Sequence, residues 1–384
     1  MALYHTEDQA MLADTARQFM GEEGAIAKQL RHWRDKQSMD GFGRVLWKQF
    51  AELGFTGILV SEADGGLGMG HVEAGIVLEE IGRNLTPSPF LTSSVMAATA
   101  IGAGNDELRG RYLPGLLAGD SVFAMAIDEG PKHRPELIAT RAERAGNGFR
   151  LAGSKTFVVY GGSADMLVVA ARTAGADGDQ DGITLFAVPK DSAGLSQDPI
   201  RLVDSSKATH VKLDGVQVYD DAVIGEVDAG RALLNRVLNA GRIGAAAESV
   251  GVADGAFDMT TTYLKQRKQF GKLIGEFQAL QHRAAHLYSE LEIARASVIK
   301  AQQLLDATAC GKPSQYADLM VSVAKAKVGK VASLAVREGV QMHGGIGMTD
   351  EYDIGLYMKR DRALAEFMGD MYYHAERVAQ FSGY

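Results

Sequence analysis

A single cysteine, Cys310, stands in 384 residues. No intrachain disulfide can form and no cysteine-based metal cluster can be built, a usage that fits a reducing compartment. No run of about 18 apolar residues occurs, so nothing in the sequence predicts a bilayer-spanning helix. Charge of one sign is never concentrated. A net charge of -8 and a pI near 5.7 come without a basic stripe or a like-charge block, which argues against nucleic acid and anionic membrane as partners. The opening MALYHTEDQAMLADTARQF lacks the basic start and apolar core of a secretory signal; Thr6 and Gln9 instead have capping-box spacing and predict the start of an amphipathic helix. These readings predict a cytoplasmic chain.

Proline is scarce as well: the eight residues sit at 87, 89, 114, 131, 135, 189, 199 and 313, leaving 200–312 and 314–384 open to long helices. In the first gap Leu233, Val237, Ala240, Ile243, Ala247, Val250 and Phe257 recur at three- and four-residue steps and lay one apolar stripe on a helix. AHLYSELEIARASVIKAQQLL is again helical. Between about 121 and 224 the pattern changes. FRLAGSKTFVVYGG, DMLVVAART, GITLFAVP and HVKLDGVQV are β-branched, apolar and separated by Gly/Asp turns, including the acidic loop AGADGDQDG. The first 120 residues return to helical spacing, as in HVEAGIVLEEIGRNL. The chain therefore divides into helices over 1–120, strands over 121–224 and helices over 225–384. That α+β order argues against a doubly wound sheet of repeated βαβ units.

Several short motifs suggest a function and fail on context. GGLGMG (65–70) imitates a dinucleotide fingerprint, but its spacing is wrong and no second strand returns after the helix, so a plain turn is the better reading. His282 and His286 lie four apart on a predicted helix without the intervening glutamate of metalloprotease chemistry, which favours core or interface histidines. HGGIG (343–347) has no G-x-S-x-G elbow to accompany it, which excludes an esterase. RKQFGKLIGEFQALQ (267–281) is more informative. Arg267, Phe270, Gly271, Ile274, Phe277 and Gln278 combine a bidentate guanidinium, an aromatic face and an amide, a set that suits a nucleotide, although a charged helix end would read similarly.

Together with the later QMHGGIGMTDEY, RKQFGKLIGEFQ resembles the two flavin signatures of the acyl-CoA dehydrogenase family. LAELGF, GGLG, LPGLLAGD, LAGSKTFVVYGGSAD and HVKLDGVQVYDDAVIG stand in the family's order, so the resemblance covers nearly the whole chain. It implies an acyl-CoA dehydrogenase-like fold with an N-terminal helical domain, a middle β-barrel domain and a C-terminal four-helix bundle, assembled as a homo- or hetero-oligomeric dimer of dimers. It implies FAD, with the adenosine diphosphate arm crossing to the neighbouring subunit. By position, Phe157, Val158 and Val159 would flank the isoalloxazine, while Arg267, Lys268, Gln269, Phe270, Phe277, Gln278, Gln341, Met342, His343, Gly344 and Gly345 would hold the partner's cofactor arm. Gly344 and Gly345 have a physical reason to be glycine, because only a bare backbone approaches a phosphate so closely. The implied reaction removes the α-proton of an acyl-CoA with a carboxylate while the β-hydride passes to flavin N5, giving a trans-2-enoyl-CoA. An electron-transferring flavoprotein is the implied acceptor. Arg242 matches an arginine beside the substrate, with a helix-surface ion pair as its plain alternative.

Two departures stand out. Aligning RDRALAEFMGD (360–370) on the family's segment puts Gly369 where the usual catalytic glutamate stands, and the other position used in the family falls on Gly241. Asp370 is the nearest substitute base, displaced by about 100° around a helix, against a solvated helix-end carboxylate; Glu366 lies a turn earlier, and Asp361 reads as the partner of Arg360 or Arg362. In the second departure AIDEGPKHRPE (126–136) replaces a loop that normally contacts flavin and substrate; Lys132, His133 and Arg134 would meet CoA phosphates or form a solvated turn. Both departures resemble the small-subunit branch of the family, which includes the small subunit of pimeloyl-CoA dehydrogenase. In related steroid-side-chain enzymes two different subunits pair and only one supplies the base; the resemblance then implies that a companion chain would bring the glutamate, and that the two glycines would leave space, as an enlarged pocket or a vacated site.

Overall fold

The predicted cap forms at the start of the first helix. Gln9 N donates to Thr6 Oγ1 at 3.3 Å and Thr6 N donates to Gln9 Oε1 at 3.0 Å, satisfying two otherwise orphaned amides. The computed structural model describes residues 3–309 and 314–384, so the readings made on Cys310 and Pro313 lie outside the described residues. In chain order the helices are α1 (Glu7–Glu22), α2 (His32–Asp35), α3 (Arg44–Glu52), α4 (His71–Arg83), α5 (Ala98–Ile101), α6 (Asp106–Leu117), α7 (Arg231–Gln266), α8 (Gln278–Ala309), α9 (Gln315–His343), α10 (Ile354–Glu366) and α11 (Met371–Phe381). The strands are β1 (Phe123–Ala126), β2 (Arg141–Ala145), β3 (Gly148–Val159), β4 (Met166–Arg172), β5 (Ile183–Pro189), β6 (Leu195–Arg201), β7 (Lys207–Tyr219), β8 (Val223–Ile224), β9 (Lys268–Gln269) and β10 (Lys272–Leu273). No helix among the described residues is long and apolar enough to cross a membrane.

The chain forms two compact units, one of Met1–His32, His71–Thr86 and Arg242–Tyr384, the other of Trp33–Gly70 and Pro87–Gly241. The second unit holds the sheet, in the order β6-β7-β3-β2-β4-β5-β8 with β1 parallel to β4. Every residue of β4 is buried, as the continuous apolar run MLVVAA requires of a strand covered on both faces. The sequence reading locates β3, β4, β5 and β7 but misses β1, β2 and β6. Pro199 hides β6, and it is tolerated there because an edge strand need not donate every amide. Arg172, at the end of β4, is buried and donates to the carbonyls of Ile138, Ala174, Asp179 and Asp181 at 2.9–3.2 Å, so the predicted acidic loop is tied down by a cation solvated with backbone oxygens. GGLGMG is the plain turn, with Gly65 and Gly68 at φ +86° and +59°.

The first unit is helical. The predicted stripe lies on α7, whose Ile243, Ala247 and Val250 are buried. Glycine sets how closely α4 and α7 approach: a Cβ on Gly82 would overlap the carbonyl oxygen of Glu248, and one on Gly251 would overlap that of Glu79. The contact carries a charge network in which Arg295 pairs with Glu79 and Asp254, while Arg83 pairs with Asp254 at 2.6 Å and with Asp258. Burial pushes the Glu79 carboxyl up to about 7. An apolar cluster of Leu85, Val252, Ala256, Val336, Ile354 and Leu364 completes this core.

Candidate functional site

The residues placed by resemblance beside the flavin ring lie on β3. Between Lys155 and Val158 that strand slips against β7, and Phe157 takes φ +56°, a left-handed conformation that a bulky side chain seldom adopts. A bulge of this kind re-aims a side chain, and here it leaves Phe157 and Val159 half-buried and Val158 buried. The loop before β2 supports it. Lys155 Nζ, fully buried, donates to Ile127 O at 3.0 Å and to Glu129 Oε1 at 2.6 Å, while Thr156 N donates to Asp128 O at 2.8 Å. Burial lowers the Lys155 ammonium below the usual lysine range. Burial alone would raise Glu129, but Lys155 and the amide of Thr140 outweigh it and hold the carboxyl low. The three basic residues of this loop do not form one face. Lys132 and Arg134 are exposed, whereas His133 is buried with Nδ1 2.9 Å from Asp128 Oδ2, so it is spent inside the loop and is not a surface phosphate ligand.

The cofactor-arm residues lie in the helical unit. RKQFGKL proves to be a hairpin of β9 and β10, not a helix end, and Phe270 and Gly271 at φ +54° and +82° supply the two left-handed residues a tight hairpin turn needs. Arg267, Lys268, Gln269 and Gln278 are exposed, Phe270 is 91% exposed, and Phe277 is half-buried beneath Lys272, whose Nζ lies 4.2 Å from the ring centre. The hairpin hangs from the end of α7, where Tyr263 stacks on His343 at 4.4 Å, with Tyr352 at 4.8 Å on His343 in turn. The two signatures, distant in sequence, therefore adjoin.

His343 is buried, and its Nδ1 donates to Gly339 O at 2.6 Å, which leaves Nε2 as an acceptor that no group among the described residues reaches. Burial keeps this imidazole below its ordinary pKa, so it stays neutral. Gln341 is exposed and Met342 is buried. A Cβ on Gly344 or Gly345 would meet nothing within 4 Å. An open glycine backbone and an exposed guanidinium with two amides offer donors to phosphate and ribose oxygens, the orphaned buried acceptor can take a hydroxyl or amine proton, and together they fit a dinucleotide arm.

Arg242 is buried, not a surface ion pair, and its Nη2 donates to Tyr373 Oη at 3.1 Å. Asp370 caps α11: its Oδ1 accepts from Tyr372 N at 3.0 Å and from Tyr373 N at 2.8 Å. Glu366 pairs with Arg362 at 2.7 Å. The expected pairing of Asp361 with Arg360 or Arg362 does not form, because Arg360 binds Glu248 and Arg362 binds Glu366. Asp361 is buried, accepts from Ser333 Oγ at 2.9 Å, and is pushed up to about 6 by burial.

Gly369 leaves no space, and the space at Gly241 is taken by the flexible end of Met96. A Cβ on Gly369, itself at φ +99°, would lie 2.9 Å from Tyr373 Cε1 and 3.0 Å from His374 Nε2; one on Gly241 would lie 2.8 Å from Sδ and Cε of Met96. His374 is fully buried, its Nε2 donates to Met368 O at 2.9 Å, and burial, aided by Arg242 and Lys325, drives the imidazole down to about 2. Lys325 Nζ donates to Leu364 O at 2.9 Å and is lowered to about 8 by burial. Sequence reasoning misses Tyr373, His374 and Lys325, and the Tyr-His pair that begins three residues after the capping Asp370 is the one available signal. His282 and His286 are exposed on α8, not core, and the described residues contain no group of three metal-ligand side chains.

With this geometry in view, comparison with known proteins defines the class. The chain matches the acyl-CoA dehydrogenase N-terminal domain over residues 6–120, the middle domain over 129–216 and the C-terminal domain over 228–382. It belongs to the acyl-CoA dehydrogenase family of FAD-dependent oxidoreductases. It is 30% identical to the 3-(aryl)acrylate reductase of Clostridium sporogenes over 96% of both chains, and 32% identical to the acyl-CoA dehydrogenase FadE12 of Mycobacterium tuberculosis over 86% of both. A variant of the Tcur3481-Tcur3483 steroid ACAD shares the fold with a TM-score of 0.87 at 28% identity, over 98% of each chain.

Proposed function

We propose that this chain is a small-subunit-type component of a FAD-dependent acyl-CoA dehydrogenase that converts an acyl-CoA to the trans-2-enoyl-CoA, with a second, related polypeptide supplying the carboxylate that takes the α-proton. The observation that carries the reading is the state of Asp370. The nearest in-chain substitute for the missing glutamate has its Oδ1 engaged as a helix cap by two amides of α11. Positions 369 and 241 offer no carboxylate either.

In this reading Phe157, Val158 and Val159 face the flavin ring. The side chains of Arg267, Lys268, Gln269, Phe270, Phe277, Gln278, Gln341 and His343 and the backbone from Met342 to Gly345 hold the nucleotide arm. The flavin supplies the hydride acceptor. The chain's own contribution is to bind and orient. The exposed guanidinium and amides hold phosphate and ribose oxygens, His343 Nε2 accepts a donor from the arm, and Arg242 with Tyr373 orders the polar wall near residue 369. The assembly is a cytoplasmic dimer of dimers that passes electrons to an electron-transferring flavoprotein, with domain limits at 120 and 224.

The test is to purify the chain alone and together with a companion family member that carries the glutamate, measure bound FAD, and add acyl-CoA without oxygen. Flavin bleaching is expected only in the mixed assembly. Bleaching by the chain alone overturns the partner-supplied base, and a folded oligomer that takes up no flavin in either preparation overturns the whole reading.

A further inference from the structure

The position where a base would stand at residue 369 is filled from within the chain by a ring that is held at both ends. Tyr373 N donates to Asp370 Oδ1 at 2.8 Å, and its hydroxyl accepts from Nη2 of buried Arg242 at 3.1 Å. The guanidinium of Arg377, whose Nε donates to Ser322 Oγ at 3.2 Å, lies 5.9 Å from the ring centre on α11. His374 stands edge-on at 5.1 Å. A Cβ added to Gly369 would overlap Tyr373 Cδ1 and approach Cε1 at 2.9 Å. The free end of a flexible side chain yields to such an overlap, but a ring fixed through its backbone amide and its hydroxyl does not.

We propose that Tyr373 is a specificity-determining residue that plugs position 369: its clamped ring excludes every side chain there, so this chain cannot carry a base at that position while the ring is in place. The plug and the backbone are separate obstacles. At φ +99° any residue other than glycine is strained, with or without the ring. Removing the ring lifts the overlap with Tyr373 and leaves both that strain and the 3.0 Å approach to His374 Nε2, so a double-mutant cycle isolates the share that belongs to the ring. Only the meaning of position 369 for proton transfer rests on the function proposed above; the overlap does not.

The first measurement is urea unfolding of the chain without flavin or acyl-CoA, for Gly369→Ala, Tyr373→Ala, both together, and Gly369→Ala with Tyr373→Phe. Gly369→Ala is expected to lower the folding constant by about 100-fold in the native background and by at least about tenfold less in the Tyr373→Ala background. Tyr373→Phe keeps the ring and should keep most of the penalty. If Gly369→Ala does not fold, recovery of soluble chain in the double variant is the same result. Equal penalties in the two backgrounds, or no recovery, overturn the plug. The second measurement is acyl-CoA bleaching by the flavin-loaded Gly369→Glu/Tyr373→Ala chain, expected where Gly369→Glu alone gives none. A positive cycle without bleaching leaves the plug standing and counts against residue 369 as the base position.

Discussion

Asp370 can be tested by a pair of substitutions that separate a helix cap from a catalytic base. Its Oδ1 accepts two amides at the start of α11, Tyr372 N at 3.0 Å and Tyr373 N at 2.8 Å. Asparagine caps a helix about as well as aspartate, whereas alanine in place of a good cap costs on the order of 1 kcal/mol, within about 0.5–2. The negative charge beside the helix N-terminus adds about 0.3–1 kcal/mol at a partly exposed site. Asp370→Ala should therefore destabilise by roughly 1–3 kcal/mol, and Asp370→Asn by less than about 1. For turnover the contrast reverses. Loss of a general base costs about 100- to 10,000-fold, so an aspartate base would make the asparagine variant nearly inactive while leaving it well folded. On the reading proposed above, Asp370→Asn keeps full turnover in the mixed assembly, read by denaturant midpoint and by the rate of anaerobic flavin reduction on the same preparations. A loss of 100-fold or more in the asparagine variant at unchanged stability, or an alanine variant as stable as the parent, refutes the reasoning.

Two further outcomes follow from packing and burial. Gly251→Ala should gain about 1 kcal/mol of helix propensity and lose more through overlap with the Glu79 carbonyl, for a net destabilisation of about 1–3 kcal/mol by chemical denaturation; a stabilised variant would show that α4 and α7 part freely. Asp361 has a folded pKa of about 6 against a reference of 3.8, so the folded chain keeps a proton that the unfolded chain releases, and its favourable contribution is present below about 4 and lost as pH rises through 6. Asp361→Asn should accordingly gain stability relative to the parent by up to about 3 kcal/mol between pH 4 and 7. A difference between the two proteins that does not change with pH over that window would contradict the burial of an ionisable carboxyl there.

Local chemistry carries much of this protein in its sequence. The capping box at Thr6 and Gln9, the apolar stripe of α7 and the continuous run of β4 are settled by residues within a few positions of one another, and each forms where the pattern puts it. The ordered motifs that identify the family are legible for the same reason, being contiguous strings. The hairpin at 267–273 is hidden because a Phe-Gly turn carries little of the sequence signal that Asn-Gly would. Asp361 is misassigned because chain neighbours suggest an ion pair that the helix faces do not permit. Whether Gly369 and Gly241 stand for empty space lies beyond any string of residues. A glycine removes its own side chain but says nothing of what enters the volume it leaves. That is decided by Tyr373 folding back from α11 and by Met96, 145 positions before Gly241, and only the packed structure brings those atoms to the glycines.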